Sequence, residues 1–206
     1  MRVNEIFYSI QGEGVRAGTA NVFVRFTGCN LRCDGPKGGE DTENQPVCDT
    51  EFASGRTMAP DELVRACLEL VAKPDKAVGV ILTGGEPLLQ VTVELVKLFQ
   101  TAGFWPICCE TNGTIDPQGL GLDWVTLSPK VAEHAVKVKY CNEIKYVRHV
   151  GQGIPKPSAA ALYYLISPAF TDHGVDRATL AACIALVKEN PTWRLSVQQH
   201  KSWSVR

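Results

Sequence analysis

The chain has 206 residues, of which 45% are hydrophobic and 21% charged, with a formal net charge of −1. That length suits one compact domain over 1–206, and the interspersed acids and bases exclude a broad polycationic surface for nucleic acid. The opening MRVNEIFYSIQGEG has neither the basic flank nor the apolar run of a secretory signal. No stretch reaches the roughly 18 apolar residues of a membrane helix, so a cytoplasmic protein is expected.

In chain order, the first expected strand is 21–27 (NVFVRFT), which runs into Gly28-Cys29-Asn30. A polar, Gly- and Pro-rich insertion at about 34–47 follows and separates Cys33 from Cys48. A helix over 60–72 opens on Pro60-Asp61-Glu62 and sets Leu63, Cys67, Leu70 and Val71 at helical spacing. A buried strand at 78–83 (VGVILT) then runs into Gly84-Gly85-Glu86-Pro87. The next helix, 87–102, directs Leu88, Val91, Leu95 and Leu98 or Phe99 inward, with Gly103 just past its end. Strands follow at about 105–110, 123–127, 143–147 and 161–166. A helix at 177–189, capped by Asp176, turns Leu180, Cys183, Ile184 and Val187 inward, and a last strand spans 194–199.

Strand–helix alternation predicts an α/β fold with a parallel sheet and helices packed outside. The strands are too few for a closed eight-unit barrel. The expected architecture is therefore a partial TIM-like barrel of about six parallel strands, with its site at their carboxyl ends.

Eight cysteines in a reducing compartment point to metal or redox chemistry before disulfides. Cys67 and Cys183 lie on apolar faces of expected helices and Cys108 and Cys109 in an expected strand, so all four read as small core hydrophobes, while Cys141 is undecided. Cys29, Cys33 and Cys48 share an irregular region where ligands can converge. Three thiolates would hold three irons of a [4Fe–4S] cubane and leave the fourth iron open to a ligand bearing an amine and a carboxylate. Zinc is the competing occupant, although its structural sites normally take four protein ligands. The cysteines alone leave both open.

Thr83-Gly84-Gly85-Glu86-Pro87 ends an apolar strand, and paired glycines let a ligand approach the backbone closely. A plain strand-to-helix turn is the bland alternative, but after a Cys-x3-Cys the motif favours the cluster. Arg25 lies inside an apolar strand, where an unpaired charge is costly. A fork on a substrate carboxylate accounts for it, and so does an internal ion pair.

The cysteines together with TGGEP resemble the radical S-adenosylmethionine superfamily. Further segments resemble its 7-carboxy-7-deazaguanine synthase family: Ser9-Ile10-Gln11-Gly12-Glu13-Gly14, Val24-Arg25-Phe26-Thr27-Gly28-Cys29-Asn30, Cys48-Asp49-Thr50, Glu110-Thr111-Asn112-Gly113, Ser128-Pro129-Lys130, Asn142-Glu143-Ile144-Lys145 and Gln198-Gln199-His200-Lys201. They occur in the family's order along nearly the whole chain. Three features depart from the family pattern, one of them the Ser202–Arg206 segment, which follows no pattern of the family. Fourteen residues separate Cys33 from Cys48, and Ser167-Pro168 stands where a Gln-Pro is usual.

The resemblance implies that 6-carboxy-5,6,7,8-tetrahydropterin is contracted to 7-carboxy-7-deazaguanine with loss of ammonia, on the route to queuosine. It implies a [4Fe–4S] cluster on Cys29, Cys33 and Cys48, S-adenosylmethionine as cofactor, and Mg2+ on Thr50. Substrate contacts would come from Ile10, Gln11, Gly12, Glu13, Arg25, Thr83, His200 and the carboxylate of Arg206. Cofactor contacts would come from Val47, Asp49, Gly84, Gly85 and Glu86, with Ser128, Pro129, Lys130 and Ser167 completing the set. A homodimer and an electron donor such as flavodoxin or ferredoxin are implied as well.

Overall fold

The computed structural model describes residues 1–33, 54–71, 77–171 and 174–205. Val47, Cys48, Asp49, Thr50, Arg206 and the insertion at 34–47 lie outside the described residues.

Nine strands form one sheet in the order β11-β8-β7-β6-β5-β4-β2-β1-β3. Seven of them run parallel: β2 (Ala20–Phe26), β4 (Gly79–Gly84), β5 (Ile107–Thr111), β6 (Trp124–Leu127), β7 (Tyr140–Arg148), β8 (Ala160–Pro168) and β11 (Trp193–Leu195). At one edge, β1 (Arg2–Ile10) pairs antiparallel with β2, and the two-residue β3 (Arg56–Thr57) pairs antiparallel with β1. Among the described residues no pairing joins β3 to β11, so the sheet is open. A separate small hairpin comprises β9 (Phe170–Thr171) and β10 (Gly174–Val175).

The α-helices are α1 (Pro60–Glu69), α2 (Val93–Thr101), α3 (Arg177–Glu189) and the short α4 (Gln199–Trp203). Strand alternation sends Val22, Val24, Phe26, Val80 and Leu82 to one face, where they pack with Leu63 and Cys67 of α1 and Leu95 and Phe99 of α2. On the same face Leu127, Ile144 and Ile166 continue this core toward Cys183 of α3 and Trp193. The opposite face carries only a small apolar cluster of Phe7, Phe23, Ile81 and Cys108, with Trp124 against it. The rest of that inner face is largely polar, although Tyr163 stacks on Trp124 and Leu165 is buried beside Lys145.

The structure differs from the sequence expectations at four places. β1 was not expected. A register shift between Val3 and Glu5 puts Val3 and Ile6 in the same core, so their spacing of three hides the period of two. The expected helix over 87–102 is a 3-10 turn at Pro87–Leu89 followed by α2, which Thr92 caps through the Leu95 N–H (3.3 Å). The expected strand over 194–199 stops at Leu195; the Gln199 N–H bonds to the Gly12 carbonyl (2.9 Å), and α4 follows. Leu70 and Ile184, expected inward, are 42% and 40% exposed. Asp176 does cap α3, accepting the Thr179 N–H at 2.8 Å.

Leu95 is fully buried between α2 and the sheet. Leu95→Ala should lower unfolding stability by about 3 kcal/mol, the usual cost of deleting such a side chain from a packed core. A shifted urea midpoint at unchanged slope is the expected readout.

Candidate functional site

The turn after β2, which carries Cys29 and Cys33, lies against the turn after β4. Gly85 donates its N–H to the Phe26 carbonyl (3.1 Å), and Glu86 donates its N–H to the Gly28 carbonyl (3.0 Å). A Cβ on Gly85 would stand 2.0 Å from the Gly28 oxygen, so only glycine permits this approach. The paired glycines thereby fuse the two turns at the carboxyl ends of neighbouring strands.

Cys29 and Cys33 are half-buried, whereas the other described cysteines are buried. Burial pushes the thiols of Cys67, Cys108 and Cys141 up to about 12, and raises Cys109 and Cys183 as well. Thiols held protonated in this way pack as hydrophobes, which also decides Cys141. The Sγ of Cys29 accepts hydrogen bonds from the Leu31 N–H (3.4 Å) and from Asn112 Nδ2 (3.7 Å).

Glu86, expected beside the cofactor, has its side chain engaged within the protein. Its side chain is wholly buried and accepts from the Leu88 N–H (3.0 Å), Thr111 Oγ1 (2.9 Å) and the Asn112 N–H (2.8 Å). Burial raises its pKa above the ordinary carboxylate value, and these hydrogen bonds pull it back in part. Glu86 thus ties the end of β4 to the end of β5. The next strand end is tied likewise: the Ser128 N–H bonds to the Thr111 carbonyl (2.9 Å) and the Lys130 N–H to the Asn112 carbonyl (3.3 Å). Pro129 and Lys130 line a shallow cleft with Tyr146, Arg148, His149 and Gln152. Ser167 is buried on β8 beside Val147.

Below these turns, polar residues occupy one register level across the inner face. Glu5 pairs with Arg25, Arg25 with Thr83, Glu110 with Thr126, and Thr126 with Glu143. Thr83 closes the row by donating from Oγ1 to Glu110 Oε2 (3.0 Å). The loop 11–19 lies over this row. Gln11 Nε2 donates to Glu110 Oε1 (3.0 Å), and Gln11 Oε1 accepts the Glu13 N–H (3.1 Å). Glu13 forms an ion pair with Lys145 and accepts from Gln198 Nε2 (2.9 Å). Glu143 accepts from the Val15 N–H (2.8 Å) and Thr126 Oγ1 (2.8 Å). At Gly14, with φ of +70°, a Cβ would collide with the Glu143 carboxylate.

The C-terminal segment locks the loop from the other side. The Gly14 N–H bonds to Ser196 Oγ (2.9 Å), and His200 packs so tightly on Gly12 that a Cβ there would lie 2.3 Å from its Nδ1.

The structure therefore gathers Gln11, Gly12, Glu13, Thr83 and His200 into one network. Arg25 stands beside Thr83, 38% exposed, with Nη1 3.5 Å from Glu5 Oε2 and its guanidinium 5.3 Å from the Phe7 ring centre. Of the two readings left open for Arg25, the ion pair is the one formed here. Ile10 is half-exposed at the end of β1.

Sequence reasoning did not single out Glu110, Glu143, Lys145, Ser196 or Gln198 as site residues. For the first three the signal existed: each is a charge within an apolar strand, as Arg25 is.

Burial by itself would raise the Glu13 carboxyl, but the Lys145 charge and the hydrogen bonds from Lys145 and Gln198 hold it below the ordinary value. Burial by itself would lower Lys145, and the surrounding carboxylates of Glu13, Glu110 and Glu143 carry it above the usual lysine value. Glu143 is raised by burial. His200 is lowered by burial, which favours a neutral ring. Such a floor offers fixed acceptors to a ligand rich in N–H groups. Among the described residues, Gln198 Oε1 and Trp124 Nε1 on this side are buried without hydrogen-bond partners, an acceptor and a donor still to be satisfied.

Residues 10–118 match the family described as a 4Fe-4S single cluster domain. The chain is 38% identical to the 7-carboxy-7-deazaguanine synthase of Bacteroides thetaiotaomicron, over 100% of this chain and 98% of that protein. It is 36% identical to the enzyme of the same name from Bradyrhizobium diazoefficiens, over 99% and 98%. Its fold matches the crystal structure of QueE from Escherichia coli with a TM-score of 0.65 and 22% identity, covering 96% of this chain and 93% of that one.

Lys145→Met leaves buried carboxylates without their cation and should cost about 3–5 kcal/mol near neutral pH. In the parent, the stabilisation from Glu13 is present above the ordinary carboxylate pKa and lost as pH falls through its own lowered value. In the variant, Glu13 keeps the burial and loses the cation, so its pKa rises and the penalty is relieved by protonation. The stability difference between parent and variant should therefore shrink on acidification, as read by denaturant unfolding across pH 4–8 (roughly the carboxylate-to-neutral range).

Proposed function

The chain belongs to the 7-carboxy-7-deazaguanine synthase family, and on that premise we propose how its residues divide the work. It is a radical S-adenosylmethionine enzyme of queuosine biosynthesis, contracting the ring of 6-carboxy-5,6,7,8-tetrahydropterin to 7-carboxy-7-deazaguanine with loss of ammonia.

The residues present fit a cluster and its cofactor. Two half-exposed thiols, Cys29 and Cys33, lie on the turn that packs directly against Gly85. In this reading Cys48 is the third ligand. When bound, the cluster supplies the electron that cleaves S-adenosylmethionine and so the radical that takes hydrogen from the substrate.

The chain's own contribution is binding and orientation. Gly84 and Gly85 expose backbone to the amino-acid end of the cofactor, and Glu86 keeps that turn in place from behind. Ser128, Pro129 and Lys130 border the ribose and carboxylate, with Ser167, Val47 and Asp49 assigned to the same cofactor. Gln11 and Glu13 receive the donor-rich edge of the pterin, with Ile10, Gly12, Thr83 and His200 shaping its place.

Arg25 exchanges its exposed pairing with Glu5 for the substrate carboxylate, a geometry its planar fork suits. Thr50 offers its hydroxyl to Mg2+, and the carboxylate of Arg206 reaches the pterin. The open sheet serves as an incomplete TIM-like barrel, the enzyme works as a homodimer, and flavodoxin or ferredoxin delivers the electron.

The observation that carries this reading is the alignment of the loop 11–13, Thr83 and Glu110 below the turn that joins Cys29 to Gly85. Anaerobic reconstitution with iron and sulfide, followed by product analysis with the carboxy-tetrahydropterin, tests it. The parent should form 7-carboxy-7-deazaguanine, and Cys29→Ala and Cys33→Ala should form neither cluster nor product, whereas Cys67→Ala keeps the cluster. Arg25→Lys retains the charge and loses the fork, so substrate affinity should fall by about tenfold or more. Unchanged affinity in that variant would remove Arg25 from the substrate site.

A further inference from the structure

Asn112 follows β5, is 7% exposed, and has every polar position of its side-chain amide engaged. Its Oδ1 accepts from the Thr114 N–H (2.9 Å) and Thr114 Oγ1 (2.6 Å). Its Nδ2 donates to Asn30 Oδ1 (3.1 Å) and to Cys29 Sγ (3.7 Å). A backbone N–H can only donate, so the amide oxygen must face Thr114 and the amino group must face the sulfur. Asn30 supports the same arrangement by donating from Nδ2 to Thr114 Oγ1 (2.8 Å). From behind, the buried carboxylate of Glu86 holds the backbone N–H of Asn112 at 2.8 Å.

We propose that Asn112 is a positioning residue for the iron–sulfur centre, its amide donating a hydrogen bond to the Cys29 thiolate and thereby raising the cluster's reduction potential. This rests on the reading that Cys29 ligates iron. Ligation removes the thiol proton, so the long contact that the thiol donates to Asn30 Oδ1 (4.0 Å) is lost. The two bonds that Cys29 Sγ accepts, from Asn112 and from the Leu31 N–H, remain and strengthen as the sulfur takes on negative charge.

One-electron reduction adds further charge to the cluster and its thiolates. A donor at the sulfur therefore stabilises the reduced form more than the oxidised one. Leu31 contributes a backbone donor that any residue but proline keeps at that position. Asn112 contributes the one that side-chain identity decides, and Glu86 of the GGEP turn fixes where that side chain stands.

The experiment compares reconstituted parent, Asn112→Ala, Asn112→Asp and Cys29→Ala. Iron is counted per chain, and the midpoint of the one-electron couple is then followed by EPR in a dithionite-poised titration without S-adenosylmethionine. Asn112→Ala should keep the parent's iron and show a reduced-to-oxidised ratio about tenfold lower at a fixed poise, equivalent to about 59 mV for one electron. Asn112→Asp keeps the oxygen that serves Thr114 but replaces the donor with an acceptor, so its midpoint should fall further. Affinity for S-adenosylmethionine should stay at the parent's value in both, which separates a bond to sulfur from a bond to the cofactor.

A parent-like midpoint in Asn112→Ala with its iron intact overturns the proposal, and so does loss of the cluster from both Asn112 variants. Cys29→Ala tells the two failures apart. If it retains a full cluster, the ligand assignment itself is wrong. If it loses the cluster while Asn112→Ala keeps the parent's midpoint, the assignment stands and the tuning does not.

Discussion

A lysine ammonium buried among carboxylates sets the conditions for everything on the inner face. Lys145 pairs with Glu13, and Glu110 and Glu143 also act on its charge. Buried carboxylates are tolerable only when their charge is matched and their lone pairs are filled. The surrounding groups meet that demand in turn: Thr83 and Gln11 for Glu110, Thr126 and the Val15 N–H for Glu143, Gln198 for Glu13. Because these donors come from several strands and two loops, satisfying the charges also fixes the geometry of the floor. The same low-dielectric setting that makes the pair costly to break makes its acceptors strong toward a bound ligand.

The layering follows from the sheet's two unlike faces. The helices α1, α2 and α3 bury the apolar face, and the stability of the fold rests there. The other face is left free to be polar because the helix layer does not need it. In a parallel sheet the carboxyl ends gather at one edge, so the turns after β2, β4, β5 and β6 can be joined by backbone hydrogen bonds and by the single carboxylate of Glu86. The cluster turn is thus rigid through its neighbours, without a core of its own.

Periodicity showed the parallel strands, the helices and the glycine turn because each repeats a pattern over several residues. It did not show β1, where the bulge near Val3 turns a period of two into a spacing of three. Nor did it show that the chain leaves the sheet after Leu195, since the stop is caused by a remote partner, the Gly12 carbonyl. Compact motifs were easiest to read: Gln11-Gly12-Glu13 stood out in the sequence, and the structure gathers these residues with Thr83 and His200. Where register brings distant residues together the signal was thinner: Glu110, Glu143 and Lys145 showed only as charges inside strands, and Ser196 showed nothing. Glu86 shows a further limit: the motif marked it as important, but only the structure shows that its side chain is buried among donors from Leu88, Thr111 and Asn112. Val47, Cys48, Asp49, Thr50 and Arg206 lie outside the described residues.

The clasp between the loop 11–14 and the segment 196–200 has a consequence for biosynthesis. Its hydrogen bonds join Gly14 to Ser196, Glu13 to Gln198 and Gly12 to Gln199, partners that are 182 and 185 positions apart for the first two. While the ribosome is still making the middle of the chain, the helix-backed sheet can assemble from the amino end, because its strands pair largely with near neighbours in sequence. The loop can already bond to Glu110, Glu143 and Lys145 once β5 and β7 are made, but its other side has no partner until residues 196–200 emerge. A nascent chain that has not yet reached Ser196 is therefore a folded scaffold whose loop is held from one side alone, and the clasp closes only after the whole sheet has been made.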